Sequence, residues 1–193
     1  MGVVIAHVAH LLSLLVLFAL GIIVFPSSPP GFALTAALLH IISPAGLFLS
    51  APYAESSCAL LTFSGVLLFA KSFASKGQPT IGHDLLVLLS GISFGIATTF
   101  RSNGIFNGLL LLEEAFRALF SLRYGIRVAT IRHLIATGLG GLSVGTGFLL
   151  PQYIAWREYC GQQNADANLS RPWCHKTPPS IYSFVQDHYW YVF

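Results

Sequence analysis

The sequence predicts an all-α protein, a polytopic transmembrane helix bundle of about six spans. Three observations carry that prediction. Of the 193 residues, 54% are hydrophobic and 9% charged, with a mean hydropathy of +0.71, against roughly 25% charged residues in a soluble domain. The apolar residues fall into runs of the roughly 20 residues that a helix needs to cross about 30 Å of hydrocarbon. The few charges and prolines lie between those runs. Ten basic against seven acidic residues, a net charge of +3, are too few and too dispersed to track a nucleic-acid backbone, so no nucleic-acid partner is expected. A disordered tail and a typical water-soluble enzyme are excluded by the same composition.

The first run, 3–25, has no Asp, Glu, Lys or Arg and ends at the Pro26–Pro30 breaker. It lacks the basic flank of a signal peptide and exceeds the 7–15-residue apolar core of one, so it reads as a span. A myristoylation signal at Gly2 is disfavoured because Ala6 stands where that motif prefers Ser or Thr. The second run, 31–50, is uncharged and interrupted by Pro44. The third, 55–71, opens with Glu55 and closes at Lys71. The fourth, 84–100, begins at Asp84, a residue type that caps helix N-termini, and stops before Arg101. The fifth covers 104–120, with Glu113 and Glu114 near its far end, and the sixth, 133–154, is rich in small residues. Residues 1–154 are therefore expected to form the membrane bundle, and 155–193 a luminal loop.

Orientation follows from the excess of Lys and Arg in cytosolic loops. Lys71 and Lys76 separate spans three and four, and Arg117, Arg123, Arg127 and Arg132 cluster around the connection between spans five and six. Both connections read as cytosolic. The turn at 101–103, the loop at 51–54 and the tail 155–193 then face the lumen or exterior. The tail agrees independently: it holds Cys160 and Cys174, and Asn168-Leu-Ser170 is an N-glycosylation acceptor pattern. Met1 falls on the luminal side, an unusual start, and a fragment that follows an odd number of upstream spans is expected.

Cys58 lies inside the third span and reads as an inert buried thiol. Cys160 and Cys174 enclose a 15-residue loop. A disulfide there is favoured over two free thiols in an oxidising lumen, and would contribute about 3 kcal/mol. No metal site is expected, since only His175 and His188 lie near those thiols and no C-x-x-C spacing accompanies them. The glycines of 138–147 miss the spacing of a nucleotide loop. Gly141 and Gly145 form a G-x-x-x-G pair that reads as a helix-packing face. His7, His10 and His40 read as packed, hydrogen-bonded residues within spans.

Sharper chemistry gathers at the luminal boundary. Glu55 stands at the mouth of a span, and Thr98-Thr-Phe-Arg101-Ser102-Asn103-Gly104 puts a guanidinium, hydroxyls and an amide in one tight turn. Ionisable residues at the membrane boundary are candidate functional residues, and an arginine fork suits a phosphate. Snorkelling and helix capping account for the same residues equally well.

These segments resemble a known family. Ser43-Pro-Ala-Gly-Leu-Phe-Leu-Ser-Ala-Pro-Tyr-Ala-Glu55-Ser56 is similar to the "SP…FxSAPYTE" segment of the second mannosyltransferase of glycosylphosphatidylinositol (GPI) anchor assembly. Ala97-Thr-Thr-Phe-Arg101-Ser-Asn-Gly104 resembles its "RSNG" turn. Pro151-Gln-Tyr, Arg171-Pro-Trp-Cys174 and Ile181-Tyr-Ser-Phe-Val-Gln-Asp187-His-Tyr-Trp190 resemble three further blocks in the family's order. His175-Lys-Thr departs from the aromatic-Asp pair that often follows the Trp-Cys block.

The resemblance implies a multi-pass endoplasmic-reticulum membrane enzyme, similar to lipid-linked-donor glycosyltransferases of the GT-C type. Such an enzyme moves mannose from dolichyl phosphate mannose to the first mannose of the GPI precursor through an α-1,6 bond. It implies no organic cofactor. The bilayer and the two lipid substrates are its partners, with a possible small membrane subunit. Glu55 and Asp187 become candidates for catalytic carboxylates, and Arg101, Ser102 and Asn103 for the donor phosphate. Family members carry an earlier span with a large luminal loop, where the principal acid lies, and continue beyond the Tyr-Trp block. The chain is thus expected to be a truncated form, inactive alone. The alternative from another class is a non-catalytic transporter or assembly subunit. Transporters often repeat a broken helix at corresponding positions in both halves; Pro44 interrupts the second span, and no matching break is expected in the fifth or sixth.

Overall fold

The computed structural model describes residues 1–42, 51, 53–74, 80–160, 172–175, 184–185 and 187–188. Pro44, Lys76, Asn168 and Arg171 lie outside the described residues. All regular structure among the described residues is helical: α1 (Gly2–Val24), α2 (Pro30–Ile42), α3 (Glu55–Ala74), α4 (Ile81–Phe100), α5 (Gly108–Ser121) and α6 (Val128–Cys160), with short 3-10 turns at Ser102–Asn107, Leu122–Tyr124 and Pro172–His175.

Four of these helices, α1, α3, α4 and α6, are long and apolar enough to cross a membrane. The expected fifth span differs: helix α5 has 14 residues, about 21 Å at 1.5 Å per residue against about 30 Å of hydrocarbon. Helix α2 is described over 13 residues, and 43–50 of the expected second span lie outside the described residues. Residues 104–107, counted by hydropathy into the fifth span, form instead the 3-10 turn that precedes α5. Helix α4 starts three residues before Asp84. Thr80 is its N-cap, accepting a hydrogen bond from the His83 backbone N–H at 3.3 Å, so Asp84 is free for another task.

The burial pattern is that of a lipid-facing protein. Large apolar side chains such as Val4, Leu11, Leu15, Ile92 and Leu142 point outward, while Ala6, Ala9, Ser13, Ser90, Ala97 and Thr98 are buried. Small residues let helices approach when lipid is as apolar as leucine. The Ser90 hydroxyl donates to the Gly65 carbonyl and that of Ser93 to the Leu61 carbonyl, each at 2.8 Å, tying α4 to α3. A core of Val87, Phe94, Leu111 and Val144 fills the space among α4, α5 and α6.

The α4–α6 contact corrects the expected glycine face. A Cβ built on Gly141 or Gly145 meets nothing within 4 Å, whereas one on Gly91 falls 2.8 Å from the Gly140 carbonyl carbon, and Gly147 abuts Gly95. The touching pairs are Gly91 with Gly140 and Gly95 with Gly147, and the G-x-x-x-G that matters lies on α4. His10 and His40 stack edge to face across α1 and α2, ring centroids 5.3 Å apart, with His40 also against Phe63. Their Nε2 atoms make no hydrogen bond among the described residues, whereas His7 is bonded as expected, to the Val3 carbonyl.

The chain divides into two compact units, Met1–Gly147 and Phe148–Phe193. Pro151 lies inside α6. Lacking an N–H, it removes the helical hydrogen bond that would end on Gly147, the residue where the units divide. In the second unit, Cys160 and Cys174 are joined by a disulfide with Cα atoms 5.7 Å apart, and Trp173 packs edge to face with Tyr159.

Candidate functional site

Helix α3 begins at Glu55 and α4 ends at Phe100, so their antiparallel packing brings the first residue of one beside the last turn of the other. The chain leaves α4 at Arg101 in an extended conformation (φ −144°, ψ 129°). There the Arg101 Nη1 donates to Glu55 Oε1 at 2.8 Å. The guanidinium side chain is 45% exposed and the carboxylate 28%, so the pair is open to a ligand. An exposed pair of this kind contributes at most about 1 kcal/mol to stability; its value is orientation. Glu55 Oε2 and the fully buried Ser56 hydroxyl make no hydrogen bond among the described residues.

Ser102 and Asn103 follow directly in the 3-10 turn, where the Gly104 N–H donates to the Arg101 carbonyl at 2.9 Å. Gly104 is buried, and a Cβ there would sit 2.7 Å from the Thr98 Cα. Only glycine lets the turn lie against the last turn of α4, which holds Arg101, Ser102 and Asn103 in one place. Below them the Asn107 amide donates to the Thr62 hydroxyl at 3.3 Å, and the half-buried Cys58 thiol faces the Ala97 carbonyl at 3.7 Å. Four of the expected site residues, Glu55, Arg101, Ser102 and Asn103, are thus gathered at one end of α3 and α4. Asp187 is exposed in the second unit. Asn168 lies outside the described residues.

A second polar cluster, missed from sequence, occupies the opposite end of α4. Asp84 and His133 are 5% and 3% exposed. His133 Nδ1 lies 2.9 Å from Asp84 Oδ1, and its Nε2 lies 3.0 Å from Glu114 Oε1. Arg132 Nε donates to Asp84 Oδ2, and His83 Nδ1 stands 3.5 Å from Asp84 Oδ1. Three helices, α4, α5 and α6, meet in this network. Its signal in the sequence was an ionisable residue within or beside each of three apolar runs, which reads separately as a cap, a span end and a flank.

Comparison with known proteins decides the family. A family model described as "Mannosyltransferase (PIG-V)" matches residues 1–193. The chain belongs to the PIG-V mannosyltransferase family. Among its relatives, the "GPI mannosyltransferase 2" of Chaetomium globosum is 46% identical over 99% of this chain and 43% of that protein. That of Gibberella zeae is 41% identical over 99% of this chain and 44% of that protein. The rat "GPI alpha-1,6-mannosyltransferase 2" is 32% identical over 84% of this chain and 35% of that protein. The chain therefore spans less than half the length of the curated relatives it matches. No solved structure matches it. Within the PIG-V family frame, the Glu55–Arg101 end is the arrangement that suits sugar-phosphate chemistry: a half-exposed guanidinium, neighbouring hydroxyl and amide groups, and a carboxylate oxygen that makes no hydrogen bond among the described residues.

Proposed function

We propose that this chain supplies part of the reaction face of an endoplasmic-reticulum membrane mannosyltransferase, one that moves mannose from dolichyl phosphate mannose to the first mannose of the GPI precursor in α-1,6 linkage. The Glu55–Arg101 pair, at the shared end of two membrane helices, carries the reading, and the family and the relatives' names support it. In the reaction the bond between sugar C1 and the phosphate oxygen breaks, and dolichyl phosphate leaves with the electron pair. The acceptor's 6-hydroxyl oxygen bonds to C1 and its proton passes to a carboxylate.

Arginine presents five N–H donors in a fixed fork. One arm of Arg101 is held by Glu55, which aims the rest at the departing phosphate, where the growing negative charge is stabilised. Ser102 and Asn103 add donors from the same turn. Glu55 thus positions Arg101, and its Oε2 is a secondary proton acceptor; Asp187 is the other candidate. The leaving group comes with the donor, so the chemistry requires no organic cofactor. The bilayer aligns both lipid substrates, lowering the entropy cost of their meeting, and a small membrane subunit is a further partner.

The test is transfer of radiolabelled mannose to GPI lipid in microsomes that lack the endogenous enzyme, using the whole protein. Arg101→Ala is expected to slow transfer by about 10²–10³, Arg101→Lys less, and Arg123→Ala or Arg171→Ala little. Wild-type transfer by Arg101→Ala refutes the assignment.

A further inference from the structure

We infer that His83, Asp84 and His133 form a binding site for a divalent transition metal of the zinc class, at the end of the bundle opposite the Glu55–Arg101 pair. The sequence pointed to no metal; the fold brings together residues 49 and 50 positions apart. One ligand atom from each residue lies within 4.8 Å of the others.

Two ring nitrogens converge on one carboxylate oxygen, His133 Nδ1 at 2.9 Å and His83 Nδ1 at 3.5 Å from Asp84 Oδ1. A tetrahedral zinc with bonds of about 2.0–2.1 Å sets its ligand atoms about 3.3 Å apart. The His83 separation already fits, the His133 separation needs to open by about 0.4 Å, and the two ring nitrogens, within 4.8 Å of each other, are brought to that spacing by rotation about χ. His83 Nδ1 is buried and makes no hydrogen bond among the described residues. A buried ring nitrogen facing a carboxylate without a bond is costly unless something occupies the space between.

The surroundings are those of a ligand set. The outer nitrogen of His133 donates to Glu114 Oε1 at 3.0 Å, and a carboxylate behind a ligating imidazole fixes its tautomer and raises its basicity. Arg132 holds the other oxygen of Asp84, fixing the carboxylate plane. When a metal takes the place of the proton on His133 Nδ1, Asp84 and Glu114 outweigh Arg132 by one negative charge, which the cation offsets. Imidazole and carboxylate ligands suit zinc and its neighbours, and three protein ligands leave a fourth position for water.

A cleft of about 320 Å3 adjoins the His133–Glu114 end of the network, with Ser121, Thr130, Arg117 and Arg127 among its walls. Arg117 is engaged by Glu113 at 2.5 Å, which reduces its repulsion of an entering cation. Once bound, the metal would link the start of α4 to the start of α6 directly.

The experiment uses the purified chain in detergent, without a histidine tag and after chelator treatment, titrated with Co2+ and then Zn2+. One Co2+ per chain is expected, with visible d–d absorption displaced by Zn2+, and Zn2+ is expected to raise the unfolding temperature. His83→Phe keeps the edge-to-face contact with Phe73, whose ring centroid lies 5.5 Å from that of His83, and leaves the Asp84–His133–Glu114 chain intact. It should weaken Co2+ binding more than about tenfold, and Glu114→Gln by about 10–100-fold. Metal-free His83→Phe should unfold at the temperature of the metal-free wild type, which separates ligand loss from misfolding. Absence of stoichiometric Co2+ absorption in folded wild type, or equal affinity in His83→Phe, overturns the proposal.

Discussion

Replacing Gly91 with alanine tests how α4 and α6 are held together. The added Cβ would sit 2.8 Å from the Gly140 carbonyl carbon and 2.9 Å from its oxygen, closer still to its Cα. Those are backbone atoms of a facing helix and cannot rotate aside. Ordinary carbon contacts begin near 3.5 Å, so the helices must part by about 0.7 Å or more, loosening Val87, Phe94 and Val144 in the core. Overpacking of this kind costs about 1–3 kcal/mol. Gly141→Ala is the matched control, since its Cβ meets nothing within 4 Å. Both changes gain the same intrinsic helix preference of about 1 kcal/mol for alanine over glycine, so their difference isolates the clash. At 2–4 °C per kcal/mol for a chain of this size, Gly91→Ala should unfold roughly 2–12 °C below Gly141→Ala. Thermal unfolding in detergent, followed by a thiol-reactive dye on Cys58, reads that gap. If Gly141→Ala is the more damaging variant, the helix face assigned here is wrong and the Gly141–Gly145 pair is the true contact.

Glu55→Gln should slow mannose transfer by the whole protein, yet add little to Arg101→Ala in the double variant; additive losses in that cycle would show that Glu55 does not act through Arg101. Asp84→Asn removes the buried carboxylate that Arg132 and His133 both face, so a loss of about 3–5 kcal/mol is expected, measured in chelator so that metal plays no part. Ser90→Ala removes the hydroxyl bond to Gly65 and should cost about 0.6–1.7 kcal/mol, the range for polar contacts between membrane helices. Reducing the Cys160–Cys174 bridge should cost the second unit about 3 kcal/mol, seen as faster limited proteolysis of residues beyond Phe148 with the first unit unchanged.

Hydropathy made α1, α3, α4 and α6 legible, because a run of uncharged residues and a membrane-spanning helix are nearly the same object. It failed at 104–107, where Ile105 and Phe106 are apolar yet belong to a turn: apolarity reports what a residue faces, not how its backbone bends. The glycine face was misassigned for a similar reason. Helix α6 carries glycines at 138, 140, 141, 145 and 147, enough for several small-residue stripes, and only the partner decides which stripe is used. The deciding pattern, Gly91-Ile-Ser-Phe-Gly95, was on the other helix. Glu55 and Arg101 were legible as boundary charges, but their pairing depends on α3 and α4 being antiparallel and in register. The cluster around Asp84 was the hardest to see, since each member has an ordinary local explanation until three helices place them together.

Helix α4 links the two polar ends. Asp84 and Arg101 are 17 residues apart along it, about 26 Å at 1.5 Å per residue, and both are positioned by neighbours rather than by α4 itself. Serines 90 and 93 fix α4 against α3, and Gly91 and Gly95 fix it against α6. A shift of α4 along its axis would therefore have to break two hydrogen bonds and two backbone contacts together. That cooperativity is what keeps the Arg101 guanidinium beside Glu55 although the ion pair itself is weak. The strength of the site thus resides in the buried small residues between the ends. It follows that Gly91→Ala, more than a helical turn from any proposed substrate contact, should lower transfer by the whole protein more than Gly141→Ala does. Equal rates for the two would mean that the position of Arg101 is set by its own turn alone.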